Sequence, residues 1–236
     1  MKNNFDTNSD DLDKYFLEYK QLVFFGSAHV SKKSRKILEY AFKKYDFKAV
    51  VLELDFSRFV ALLNDEKPKF SNVFKMYNGF FWYFLSKIQR SVAKKFQTSV
   101  GEEMKIASEL ATIREIPIYL IDLPIEITMK KMRKVINFKF FLKLILSAFK
   151  KEKVNVKVND FVDLEYNEVN NLLEVFKKEF PEAYDVLIEQ RNRYMAKNLI
   201  DLMERYSENE KVLVIVGKGH IPGLLNILQN YIINKD

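Results

Sequence analysis

Two short stretches carry the residues best suited to chemistry. Gly26-Ser27-Ala28-His29 and Gly217-Lys218-Gly219-His220 both read Gly-x-x-His, and their histidines are the only two in 236 residues. Each stretch closes a run of strand-forming residues, Leu22–Phe25 for the first and Val212–Val216 for the second. If both runs are parallel strands of one sheet, all the imidazole of the chain gathers at one sheet edge. Open α/β sheets keep their ligands there, outside the carboxyl ends of the strands. One such motif is most simply a tight glycine turn followed by a satisfied polar side chain. Two that use up every histidine favour a site. The second is not a P-loop, because the spacing and the residue after Lys218 are wrong for one.

Two further charges stand on apolar ground. Glu53 sits inside the predicted strand Ala49–Leu54, and a buried carboxylate without a partner is costly. A core arginine, a protonated histidine or a metal ion would each meet that need. Arg191 falls on the stripe Tyr184, Leu187, Ile188, Met195, Leu199 and Leu202 of a helix predicted from Pro181 to about Tyr206. Arg193 does not. An arginine aimed inward needs a carboxylate or a ligand, and its candidate partners are Glu53, Glu103, Asp122 or an acidic substrate. Asp122 ends the predicted strand Pro117–Ile121, and Ser99-Val100-Gly101-Glu102 matches a capping box that leaves Glu103 without a local role.

The elements that must position these groups alternate along the chain. Residues 1–12 read as a disordered leader. A helix follows His29, capped by Ser31, with Ile37, Leu38, Ala41, Phe42 and Tyr45 on one face. Residues 58–98 read as a helical insertion with the aromatic cluster Tyr77 to Phe84, and 125–165 as a second one. Within it, residues 130–157 hold ten Lys or Arg against the single acid Glu152. That amphipathic pattern suits a lid whose lysine stems cover apolar surface, or a helix lying on anionic lipid; the lid is the favoured reading. Pro222 opens a final helix packed by Leu224, Leu225, Ile227, Leu228 and Tyr231.

Composition bounds the answer. With 48% hydrophobic and 30% charged residues the chain is globular, and its length suits one α/β domain over 1–236. The absence of cysteine excludes disulfides and thiolate metal sites, so any metal is held by histidine, carboxylate or water. The net charge of +7 tolerates an anionic partner, yet no zinc-finger, RNP or Gly-x-x-Gly pattern points to nucleic acid. There is no secretory pattern and no apolar run of ~18–20 residues, which leads to the expectation of a cytoplasmic chain. Peripheral contact with an anionic membrane and a homodimer both stay open.

Taken together, Gly26-Ser27-Ala28-His29-Val30-Ser31, Glu53-Leu54-Asp55 with Arg58, Gly101-Glu102-Glu103-Met104, Ile121-Asp122 with Thr128, Arg191 with Tyr194-Met195-Ala196, and Val216-Gly217-Lys218-Gly219-His220-Ile221-Pro222-Gly223 resemble the TraB family, which includes PrgY and GumN-like proteins. Tiki proteases, erythromycin esterases and the haem-binding ChaN proteins are its more distant relatives. The resemblance implies a mostly parallel α/β sheet with helical insertions over the strand ends, as in the esterases and ChaN. It implies that His29, Glu53, Arg191 and His220 are catalytic. Ser27, Arg58, Glu103, Asp122, Lys218 and Tyr194 are the corresponding substrate contacts. Tiki-like relatives are regarded as metal-dependent peptidases, whereas the esterases use the same His and Glu positions without an obvious metal. Asp122-Leu123-Pro124 departs from the family's Asp-Arg-Asp, and Gln190-Arg191-Asn192 from its Glu-Arg-Asp.

The leading expectation is a metal-dependent hydrolase acting on a peptide or other small acyl substrate. His29, Glu53 and His220 would hold a divalent ion (manganese, cobalt, zinc or iron) with one position open, as catalytic sites do. The other reading is a peptide-sequestering regulatory protein that uses the same pocket without turnover.

Overall fold

Alternate residues along each central strand enter two different apolar cores, and that alternation sets the layers of the fold. The computed structural model describes residues 12–27, 31–64, 101–136, 140 and 166–235. Among these, β1 (Phe16–Tyr19), β2 (Leu22–Ser27), β3 (Ala49–Leu52), β4 (Ile118–Leu120) and β5 (Val212–Gly217) form one sheet in the order β1-β2-β5-β3-β4. β1 runs antiparallel to β2, and every other pairing is parallel. The helices are α1 (Ser31–Lys44), α2 (Phe56–Leu63), α3 (Glu102–Ile113), α4 (Ile125–Val135), α5 (Tyr166–Glu179), α6 (Pro181–Tyr184), α7 (Gln190–Arg205) and α8 (Ile221–Ile233).

On one face, Val23, Phe25, Val50, Leu52, Leu213 and Ile215 pack against Ile37, Leu38 and Phe42 of α1 and Ile106 and Ala107 of α3. On the other, Leu22, Phe24, Val51, Val212, Val214 and Val216 meet Met195 and Leu199 of α7 and Leu224 and Leu228 of α8. Strands buried on both faces read as the continuous apolar runs seen in the sequence. Truncating a fully buried side chain such as Leu213 to alanine removes ~2–5 kcal/mol. The chain leaves β2 toward the first face through α1 and leaves the neighbouring β5 toward the second through α8. That divergence makes a topological switch point at their carboxyl ends.

A third apolar cluster joins Met132 of α4 and Phe140 to Phe176, Phe180 and Tyr184. It lies over the strand ends: α5 brings Leu173 Cδ2 to 3.7 Å from where a Cβ on Gly219 would stand. Residues 125–136 and Phe140 thus pack against the domain through this cluster. Residues 137–139 and 141–165 of that insertion, residues 65–100 of the other with their aromatic cluster, and the leader up to residue 11 lie outside the described residues. No described helix is long and apolar enough to cross a membrane.

Three local features differ from expectation. β1 was not predicted: it joins β2 through Lys20-Gln21, with Lys20 at φ +52° and Tyr19 opposite Leu22, and neither turn residue is the Gly or Asn that marks such hairpins. The helix after Pro181 is interrupted by a π-helical turn over Asp185–Glu189 before α7 resumes. The helix expected to open at Ser99, a residue outside the described part, begins at Glu102 behind Gly101, whose φ of +105° lies where glycine is favoured.

Candidate functional site

Each acid and base of the site stands where an element ends or turns. Glu53 follows β3 directly, its backbone N–H donating to Ile215 O of β5 at 3.0 Å. His220 closes the turn between β5 and α8, its N–H donating to Gly217 O at 2.9 Å. Asp122 follows β4, and Asp55 is the N-cap of α2, accepting from Arg58 N at 3.0 Å. Arg191 and Asn192 are adjacent on α7, facing the same strand ends.

These residues form one buried charge cluster. Arg191 gives Nε to Asp122 Oδ1 at 2.9 Å and Nη2 to Asp122 Oδ2 at 2.7 Å. The same Nη2 donates to Glu53 Oε1. Its Nη1 donates to Leu187 O at 3.3 Å, a carbonyl of the π-helical turn. Arg58 reaches Asp122 Oδ2 through Nη2 at 2.5 Å and Asp55 Oδ2 through Nε at 2.6 Å. Asp55 Oδ2 also accepts from Ile125 N at 3.1 Å, which fixes the start of α4. Glu53 Oε2 accepts from Gly217 N at 2.6 Å. His220 places Nε2 at 3.3 Å from Glu53 Oε1 and Nδ1 at 2.7 Å from Asn192 Oδ1.

The electrostatics follow from burial set against these partners. Burial alone would push the Glu53 carboxyl up, but His220, Arg191 and the Gly217 N–H outweigh it and hold the group well below the usual carboxylate range. Burial likewise opposes the charge on Arg191, while Glu53 and Asp122 more than restore it. Asp55 is lowered in spite of its burial, chiefly by Arg58.

Of the residues expected from sequence, Glu53, Arg191, His220, Asp122 and Arg58 are brought together here. Glu103 is buried and accepts from Ser34 Oγ at 3.3 Å, so Arg191 pairs with Glu53 and Asp122 instead. Tyr194 is 40% exposed, and its backbone carbonyl accepts from Asn198. Lys218 lies in the His220 turn with its stem across β2, where a Cβ on Gly26 would come within 2.6 Å of Lys218 Cγ. Ser27 ends β2 opposite Gly217, and its side chain is outside the described part, as is His29 altogether. The backbone does start both Gly-x-x-His turns from adjacent parallel strands at one level. Asp55 and Asn192 entered the sequence reading only within family motifs and were not expected among the site residues. Asn192, three residues before Met195, shares the inward face of α7 with Arg191, and that spacing was the available signal.

The described donors do not fit a divalent ion. Glu53 Oε1 already accepts from Arg191, its Oε2 from Gly217, and both Asp122 oxygens from guanidinium groups. A further cation would face two arginines across the same carboxylates. Among the described residues, no three His, Asp or Glu side chains are placed so that they could hold a metal ion.

A mostly parallel, helix-covered sheet with a histidine, two arginines and three carboxylates at its switch point defines an α/β protein with a built polar site. A profile of the TraB/PrgY/gumN family matches residues 17–231, and the chain belongs to that family. It is 32% identical over 217 residues to the uncharacterized protein MJ1365 of Methanocaldococcus jannaschii, covering 88% of this chain. The chain spans about half the length of that relative, 53%.

Proposed function

We propose that this protein is a hydrolase of peptide or other small acyl substrates, with the Glu53–His220 pair as its proton-transfer group. The observation that carries the reading is the position of the His220 ring, held between Asn192 Oδ1 at 2.7 Å and Glu53 Oε1 at 3.3 Å beyond the strand ends. A water seated against the pair gives up a proton as its oxygen bonds to the acyl carbon. The pair returns that proton to the leaving nitrogen or oxygen as the acyl bond breaks. Such transfer is worth about 10²–10⁴ in rate. Arg191 supplies less than expected to the substrate. Of its five N–H groups, four go to Asp122, Glu53 and Leu187. The fifth, on Nη1, is the one an oxyanion can use. The resemblance of the sequence motifs to those of the esterases, which use the same His and Glu positions without an obvious metal, supports a route that needs no ion.

One observation favours a second reading, a peptide-sequestering protein. The carboxylates are already saturated by arginines and backbone N–H groups, as in a static binding pocket. Incubating the protein with peptide and acyl-ester libraries separates the two. Products accumulating beyond one equivalent, and lost in His220→Ala and Glu53→Gln, support the hydrolase; stoichiometric retention without cleavage supports sequestration.

A further inference from the structure

We propose that Asn192, given room by Gly223, fixes the proton of His220 on Nδ1 and so makes Nε2 the nitrogen that exchanges a proton in the pocket. The catalytic consequence rests on the hydrolase reading; the place of the proton rests on geometry alone. Asn192 is 3% exposed, and its Oδ1 lies 2.7 Å from His220 Nδ1. A carboxamide oxygen only accepts, so the ring nitrogen facing it must donate. The other nitrogen faces Glu53 Oε1 at the longer distance of 3.3 Å. That carboxylate also only accepts and competes for a proton on Nε2; the shorter Asn192 contact is what holds one on Nδ1 when the ring carries a single proton.

Gly223 makes this contact possible. It stands in the first turn of α8, where a Cβ would come within 2.2 Å of Asn192 Nδ2 and 3.1 Å of its Cγ. Glycine inside a helix costs about 1 kcal/mol relative to alanine. What it permits here is the wedging of Asn192 between α7 and α8 until it reaches the imidazole. Asn192 is accordingly a positioning residue, acting on substrate only through His220. A partner of this kind sets which imidazole nitrogen carries the proton, and the acid–base step that depends on it is worth about 10²–10⁴ in rate.

The test is two-bond ¹H–¹⁵N correlation on the ¹⁵N-labelled full chain, at a pH where the ring carries one proton. The His220 signals are identified by their loss in His220→Gln. The proton is expected on Nδ1 in the parent protein and in Asn192→Asp, whose carboxylate also only accepts. In Asn192→Leu it is expected to pass to Nε2, with kcat falling by up to about 10²–10⁴ and KM little changed. Gly223→Ala is expected to displace Asn192 and reproduce the Asn192→Leu spectrum, which keeps the test open if the leucine variant does not fold. A parent ring protonated on Nε2, or an Asn192→Leu ring still protonated on Nδ1, overturns the proposal. A parent ring protonated on Nδ1 in a protein that hydrolyses nothing leaves this inference standing and removes the hydrolase reading instead.

Discussion

Arg191 lies side-on to Asp122 in a two-point contact, Nε to Oδ1 at 2.9 Å and Nη2 to Oδ2 at 2.7 Å, with the Asp122 side chain 1% exposed. Fork-on-carboxylate geometry of this kind gives both strength and direction to a buried pair. It ties α7 to the end of β4 and leaves Nη2 aimed at Glu53 just beyond β3. The site is therefore held by cross-links between elements that are distant in sequence.

Removing Arg191 strands two buried carboxylates. Arg191→Ala is expected to lose ~3–5 kcal/mol in denaturant unfolding. Arg193 pairs with Asp185 at 3.0 Å on the surface, its side chain 59% exposed, and its alanine variant should stay within ~1 kcal/mol of the parent. Equal effects from the two would contradict the placement of Arg191.

Stability should fall in acid partly through Glu53. Its folded pKa lies below the ordinary value of 4.5, so the carboxylate contributes stability that is fully present above that value and is lost as pH falls toward the folded pKa. Glu53→Gln removes the titrating group. Its unfolding free energy below about pH 4.5 should decline less steeply than that of the parent protein. Parallel acid limbs in the two proteins would show that Glu53 is not held ionised.

Gly26 is required by the stem of Lys218. A methyl group there would meet Lys218 Cγ at 2.6 Å and Ile221 Cδ1 at 3.1 Å. Gly26→Ala should cost ~1–3 kcal/mol through overpacking, and Lys218→Ala in the same chain should recover part of that loss. Thermal melts of the two single variants and the double variant measure the coupling. Strict additivity would mean the two side chains do not meet.

Metal content tests the saturation of the carboxylates. Protein purified without chelator or added ions is expected to hold no stoichiometric ion that depends on Glu53 or His220. An ion lost in His220→Ala would instead restore the three-ligand arrangement with His29 and require Arg191 to leave Glu53 Oε1.

Much of this was legible in the sequence for identifiable reasons. Central strands buried on both faces announce themselves as Leu22–Phe25 and Val212–Val216. Glu53 and Arg191 were visible because each is a charge placed in an apolar pattern, and a buried charge must find its opposite. The turn at Lys20 and the π-helical turn before Arg191 were not, because backbone geometry decided them without a local residue signal, and the start of α3 was set by Gly101 rather than by the capping-box pattern. Asn192 looked like a lost charge. Only the close approach to Gly223 and His220 shows what its carboxamide does.

The central claim is that Glu53 and His220 together turn over an acyl substrate. It is tested most directly by multiple-turnover hydrolysis of a peptide substrate, followed by mass spectrometry in parent, Glu53→Gln and His220→Ala proteins with matched folds. The account predicts many product equivalents per parent chain, and a fall in kcat of about 10²–10⁴ in both variants with binding retained. Peptide bound by the parent protein and recovered uncleaved, or cleavage undiminished in either variant, would contradict it.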